Sequence, residues 1–252
     1  MNFRTQSGLG IAYRSRGQGR TMVLLHPVGL CGAFWDPVVA ELENEFRLIT
    51  PDARGHGQSD LPTDPAAYSE AATVGDMKAI LDVCGETSAV IGGLSLGGYM
   101  TLAFHLRHAP VCKALMLFDT GPGFKKDEAR EAWNQRSRDR ADDLEARGFA
   151  ALGGSDEVRM SQHRSPLGLA GAARGMLAQE NAGVIESLPS IAVPTLVLVG
   201  ANDTNFLAAT DYMAAKIPGA KKAIIPDAGH AANLHQPAAF NAAMGSFLTS
   251  LG

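Results

Sequence analysis

Short, continuously apolar runs alternate along this chain with longer stretches of helical periodicity. Residues 21–25, 46–50, 88–92, 113–118, 195–199 and 221–225 read as strands. Runs apolar at consecutive positions bury both faces, as the strands of a helix-covered parallel sheet do. Residues 2–6 and 10–15 predict a hairpin across Ser7-Gly8. Helices are predicted over 35–42, over 69–83 with Val74, Met77, Ile80 and Leu81 on one face, over 99–106, and from Pro237 to about Thr249 with proline in the first turn. The pattern is therefore α/β: a mostly parallel sheet of eight strands flanked by helices.

One region breaks the alternation. No strand signal appears from about Pro122 to Ser190. Residues 125–147 read as a helix with charges of both signs, including Arg136, Arg138, Asp139, Arg140, Asp142 and Asp143, and such a run predicts a solvated face. A second helical piece is expected over 168–179. The expected organisation is a core of residues 1–121 and 191–252 with a helical cap of residues 122–190.

Composition narrows the class of molecule. The 252 residues are 46% hydrophobic and 19% charged, with a net charge of −4, so no nucleic-acid partner is expected. Cys31, Cys84 and Cys112 are odd in number and widely spaced, which fits a reducing compartment and no metal pattern. The first residues lack an apolar signal core, and no apolar run nears the roughly 18 residues of a membrane span. A cytoplasmic setting without a membrane partner is expected; the oligomeric state is not legible.

The chemistry concentrates in Gly93-Leu94-Ser95-Leu96-Gly97, set between a strand and a helix. A Gly-x-Ser-x-Gly turn there holds the serine in a strained conformation with its hydroxyl exposed, and the helix N-terminus behind it offers free N–H groups. A serine hydroxyl needs a base, and a histidine base needs a carboxylate to fix its tautomer. In an open α/β sheet such groups follow strand C-termini. Asp203 follows the 195–199 strand, and His230 follows the 221–225 strand in Gly229-His230. Asp119, directly after the 113–118 strand, is a rival for the acid, and His235 is a second histidine near the predicted site.

With the His26-Pro27-Val28-Gly29 loop, the Arg54-Gly55-His56-Gly57 core of the 52–60 loop, the serine turn, Gly200 to Asp203 and Gly229-His230, the chain resembles the α/β-hydrolase fold superfamily over nearly its full length. Within it, the chain is similar to small-cap bacterial 3-oxoadipate enol-lactonases, cofactor-free haloperoxidase-like esterases and meta-cleavage C–C hydrolases. The resemblance implies a Ser95–His230–Asp203 triad and an oxyanion hole from the Val28 and Leu96 N–H groups. His235 stands where these families often carry a glutamate. The implied activity is hydrolysis of a small carboxylic ester or lactone through an acyl-enzyme on Ser95, without cofactor or metal. C–C hydrolysis, perhydrolysis and a ligand receptor with negligible turnover remain open alternatives.

Other residues read differently. His26 and His56 are expected to be structural, and Trp35 to be core or pocket wall. Cys31 is expected to be a small buried residue near the pocket. His105, His108 and His163 are expected on helices with no metal. Arg174 and Gln179 are candidate polar contacts to substrate.

Overall fold

The protein is described by a computed structural model covering residues 1–5 and 8–252. The predicted turn through Gln6 and Ser7 lies outside the described residues. The strands flanking it, β1 (Asn2–Arg4) and β2 (Gly10–Arg16), pair antiparallel as expected. They join β3 (Arg20–Leu25), β4 (Phe46–Pro51), β5 (Ala89–Leu94), β6 (Cys112–Phe118), β7 (Thr195–Gly200) and β8 (Lys221–Ile225). The sheet order is β1-β2-β4-β3-β5-β6-β7-β8, parallel from β4 to β8.

Period-two geometry explains the unbroken apolar runs. In β3, Val23 and Leu25 enter the core on one face, while Met22 and Leu24 enter the core on the other. The first core packs under α2 (Glu70–Val83), α3 (Leu96–His108) and α8 (Leu207–Lys216). The second packs under α1 (Asp36–Leu42) and the last helix, Pro237–Thr249. Trp35, fully buried in that second core against Phe34 and Phe118, belongs to the core rather than to a pocket wall.

Between β6 and β7 the described residues contain helices and no strand. These are α4 (Asp127–Arg147), α5 (Asp156–Arg159), α6 (Pro166–Ala172), which runs on into a π-turn at Ala173–Leu177, and α7 (Gly183–Ser187). Ala141 and Leu144 of α4 bury against Leu169, Ala170 and Ala173, giving this excursion a small core of its own. Reciprocal bonds between Asn134 and Gln179, at 2.8 and 2.9 Å, fasten α4 to the chain beyond the π-turn. No helix of the described residues is long and apolar enough to cross a membrane. After β8 the chain forms a single turn, α9 (Ala232–His235), and then α10 (Pro237–Thr249).

Candidate active site

At the end of β5 the backbone turns sharply into α3. Ser95 sits at that turn with φ 57° and ψ −117°. A non-glycine residue held at positive φ stores roughly 1–3 kcal/mol of strain, so the surroundings must hold it in place. Its N–H donates to the Phe118 carbonyl at 3.0 Å, and its carbonyl accepts the Thr120 hydroxyl at 2.6 Å. The flanking glycines have a steric cause. A Cβ on Gly93 would come within 2.4 Å of the Gly97 backbone, and one on Gly97 within 2.1 Å of the Leu25 carbonyl oxygen.

Two loops bring the partners. Gly200 closes β7 so tightly against the loop after β8 that a Cβ there would lie 2.4 Å from the Ala228 and Gly229 carbonyl oxygens. The Asn202 N–H donates to the Ala228 carbonyl at 2.8 Å, tying the loop of Asp203 to that of His230. His230 Nδ1 lies 2.7 Å from Asp203 Oδ2, the Asp203 side chain buried and the imidazole 45% exposed. Since an ionised carboxylate only accepts, Nδ1 carries the hydrogen and Nε2 is left as a base. Phe206 stacks on the His230 ring, with centroids 5.2 Å apart and planes at 21°.

Ser95, His230, Val28 and Leu96 all line one cavity of about 860 Å³. Among the described residues neither the Val28 nor the Leu96 N–H has an acceptor within hydrogen-bond distance. Leu96 is the first residue of α3, where N–H groups lack intrahelical partners. Two free donors therefore belong to residues that line the same cavity as the serine.

Asp119, the rival acid, makes no hydrogen bond to the histidine. It is fully buried at φ 44°, with Oδ1 accepting the Gly200 N–H at 2.8 Å and Oδ2 without a partner among the described residues. Burial pushes its carboxyl up to about 7. His235 accepts the Gly229 N–H on Nδ1 at 2.9 Å and does not line the cavity, so it braces the loop of His230 rather than competing with it.

His26 and His56 are both buried, and each accepts a backbone N–H on Nε2, from Ala53 at 2.9 Å and from Gly29 at 3.1 Å. Their structural reading fits these bonds. His105 and His108 lie on α3, whereas His163, expected on a helix, stands in the irregular segment between α5 and α6. There it meets His56 edge-on, ring centroids 6.0 Å apart and planes at 70°. Cys31 is buried and off the cavity wall.

Most of α4 is solvated, as its charge pattern predicts, with only Ser137, Ala141 and Leu144 buried. Arg174 does not reach the cavity; it pairs at the surface with Asp142 and Glu145 of α4. Gln179 does line it. Trp133, Arg136 and Arg140 of α4 line it too, three and four residues apart on one helical stripe. That spacing was visible in the sequence. Which stripe faces inward depends on how α4 docks, and mixed charge all round the helix concealed it.

Comparison with known proteins agrees with this architecture. Residues 22–243 match the family described as the alpha/beta hydrolase family. A protein of Bacillus subtilis named a putative 2-succinyl-6-hydroxy-2,4-cyclohexadiene-1-carboxylate synthase is 27% identical over 230 residues, covering 84% of each chain. The 3-oxoadipate enol-lactonase 1 of Acinetobacter baylyi is 28% identical over 247 residues, covering 91% of this chain and 89% of its own. A thermophilic esterase from Thermogutta terrifontis, solved with malate bound, superposes with a TM-score of 0.86 at 28% identity, over 100% of this chain and 99% of its own.

Proposed function

The chain belongs to the alpha/beta hydrolase family, and from that premise we propose that it is a serine hydrolase that cleaves a small carboxylic ester or lactone through an acyl-enzyme on Ser95. The observation that carries this reading is the 2.7 Å bond from His230 Nδ1 to Asp203, with the imidazole standing on the same cavity wall as the strained Ser95. Similarity to an enol-lactonase and an esterase supports the substrate class.

In the proposed reaction His230 Nε2 takes the Ser95 proton as Oγ attacks the acyl carbon. The negative charge that forms on the carbonyl oxygen is met by the Val28 and Leu96 N–H groups. Asp203 stabilises the imidazolium, which then protonates the leaving alkoxide. For a lactone the leaving oxygen stays tethered to the acyl group. A water molecule, deprotonated by the same histidine, attacks the acyl-enzyme and releases the acid and the free serine. Residues 122–190 form the proposed cap that shapes the cavity over a core of residues 1–121 and 191–252. The proposed compartment is the cytoplasm, on the cysteine pattern of the sequence.

The test is hydrolysis of a short p-nitrophenyl ester by the wild type and by Ser95→Ala. Turnover by the wild type and its loss in the variant are expected, together with labelling of Ser95 by a fluorophosphonate. Retained turnover in the variant would discard the reading.

A further inference from the structure

Helix α4 carries five arginines, at positions 130, 136, 138, 140 and 147. Three are neutralised at the surface: Arg130 by Asp127, Arg138 by Glu131 and Arg147 by Asp143. Arg136 and Arg140 have no hydrogen bond or ion pair among the described residues, and both line the cavity above Ser95. The guanidinium of Arg140 reaches down to the His26–Gly29 loop. Its Nη2 lies 3.3 Å from the point where a Cβ on Gly29 would stand, one residue from the free Val28 N–H. Surrounding protein draws the pKa of Arg140 below its ordinary value, and the nearby Asp143 offsets this only in part. Both side chains nevertheless stay accessible from the cavity, so a ligand can reach them. Glu157 is the single acidic residue among the described lining and forms no ion pair with either arginine, which leaves the wall with an excess of positive charge.

A cavity-lining guanidinium with no hydrogen-bond or ion-pair partner in the protein keeps its donors free for a ligand. Its planar fork of donors fits a carboxylate in bidentate fashion. We infer that Arg140, with Arg136 one helical turn away, is a carboxylate-binding subsite, and that the substrate is an ester or lactone bearing a free carboxylate. The substrate assignment rests on the hydrolase reading above; the anion site itself does not.

The test compares mono-p-nitrophenyl adipate with its terminal amide, a planar neutral isostere. In the wild type kcat/KM for the acid should exceed that for the amide by about tenfold or more, the worth of a charge-assisted pair. In the Arg136→Gln/Arg140→Gln double variant this ratio should fall to about one, while Arg140→Lys, which keeps the charge but loses the fork, should fall between. A wild-type ratio near one, or a ratio the double variant leaves intact, overturns the inference. Calorimetric titration of Ser95→Ala with adipate reads the site without turnover. Binding is expected, weakened by salt and abolished by the double variant. Equal turnover of both esters with no adipate binding leaves the hydrolase standing and removes the anion site. Arginine-dependent adipate binding in a protein that turns over neither ester does the reverse.

Discussion

His163 Nε2 lies 3.0 Å from the carbonyl oxygen of Gly29, while its Nδ1 accepts the Gly57 N–H at 3.0 Å. One imidazole thus joins the segment between α5 and α6 to the loop that offers the Val28 donor and to the 52–60 loop. His163→Ala removes both partners and leaves two backbone groups without them, a loss of about 1–3 kcal/mol. We expect a lower melting temperature and a fall in kcat of about tenfold, because misplacing the proposed oxyanion donor weakens transition-state binding. Thermal melts and steady-state kinetics on a short ester check both. An unchanged kcat would show that the Val28 loop holds its shape without this link.

Asp203 and Asp119 make opposite predictions. Asp203 bonds His230, so Asp203→Asn should lower kcat by about 10⁴ by stabilising the wrong tautomer. Asp119 bonds only backbone, at Gly200 in the geometry above, so Asp119→Asn keeps an acceptor and should cost less than about tenfold, since the Asp203–His230 bond that orients the base stays intact. If the two variants exchange these phenotypes, the acid has been assigned to the wrong strand end.

The buried Asp119 carboxyl also has a pH signature. Its pKa of about 7 against an ordinary 3.8 means that the folded state binds the proton more tightly than the unfolded chain. Its ionisation therefore costs stability as pH rises from about 4 to about 7, reaching about 4 kcal/mol above that range. Asp119→Asn, which cannot ionise but leaves amide hydrogens to be satisfied, should stabilise the protein by about 1–3 kcal/mol near pH 8. The gain should shrink toward pH 5, where the wild-type carboxyl keeps its proton. Melting temperatures at both pH values decide this; a gain that does not vary with pH would exclude ionisation as its source.

The cluster of three histidines should respond in the other sense. Burial lowers the pKa of His26, His56 and His163 below 6.5, and each ring accepts a backbone N–H that protonation would turn away. The unfolded chain takes up these protons near pH 6.5, the folded chain only at lower pH. Their contribution is complete above about 6.5 and is lost as pH falls. In an Asp119→Asn background, free of the opposing effect, the urea midpoint should drop between pH 7 and pH 5.5. Adding His163→Gln should make that drop smaller. An identical drop would remove His163 from the account.

Gly97→Ala places a methyl 2.1 Å from the Leu25 carbonyl oxygen, a contact that only backbone movement can relieve. Since that movement carries Ser95 and the Leu96 N–H with it, labelling by a fluorophosphonate should slow at least about tenfold, even where the variant stays folded by circular dichroism. Wild-type labelling would mean that the turn tolerates the shift.

Much of this molecule is legible in one dimension because local physics decides it. An apolar run buried on both faces must be a strand within covered layers, a Gly-Leu-Ser-Leu-Gly turn between strand and helix must expose its serine, and parallel strands deliver Ser95, Asp203 and His230 to one sheet edge. The tertiary structure decided the choices that local pattern leaves equal. Asp203 and Asp119 both follow strands, and only the docking of the β7 and β8 loops brings one carboxylate to Nδ1 and buries the other against Gly200. On α4 the charges of both signs are spread around the helix, so periodicity marks no inward face. The packing of Ala141 and Leu144 against α6 sets its rotation, and that rotation turns Arg136 and Arg140 toward the cavity while Arg130, Arg138 and Arg147 pair with acids outside. His163 lies more than a hundred residues from the loops it joins, a separation no window of sequence spans.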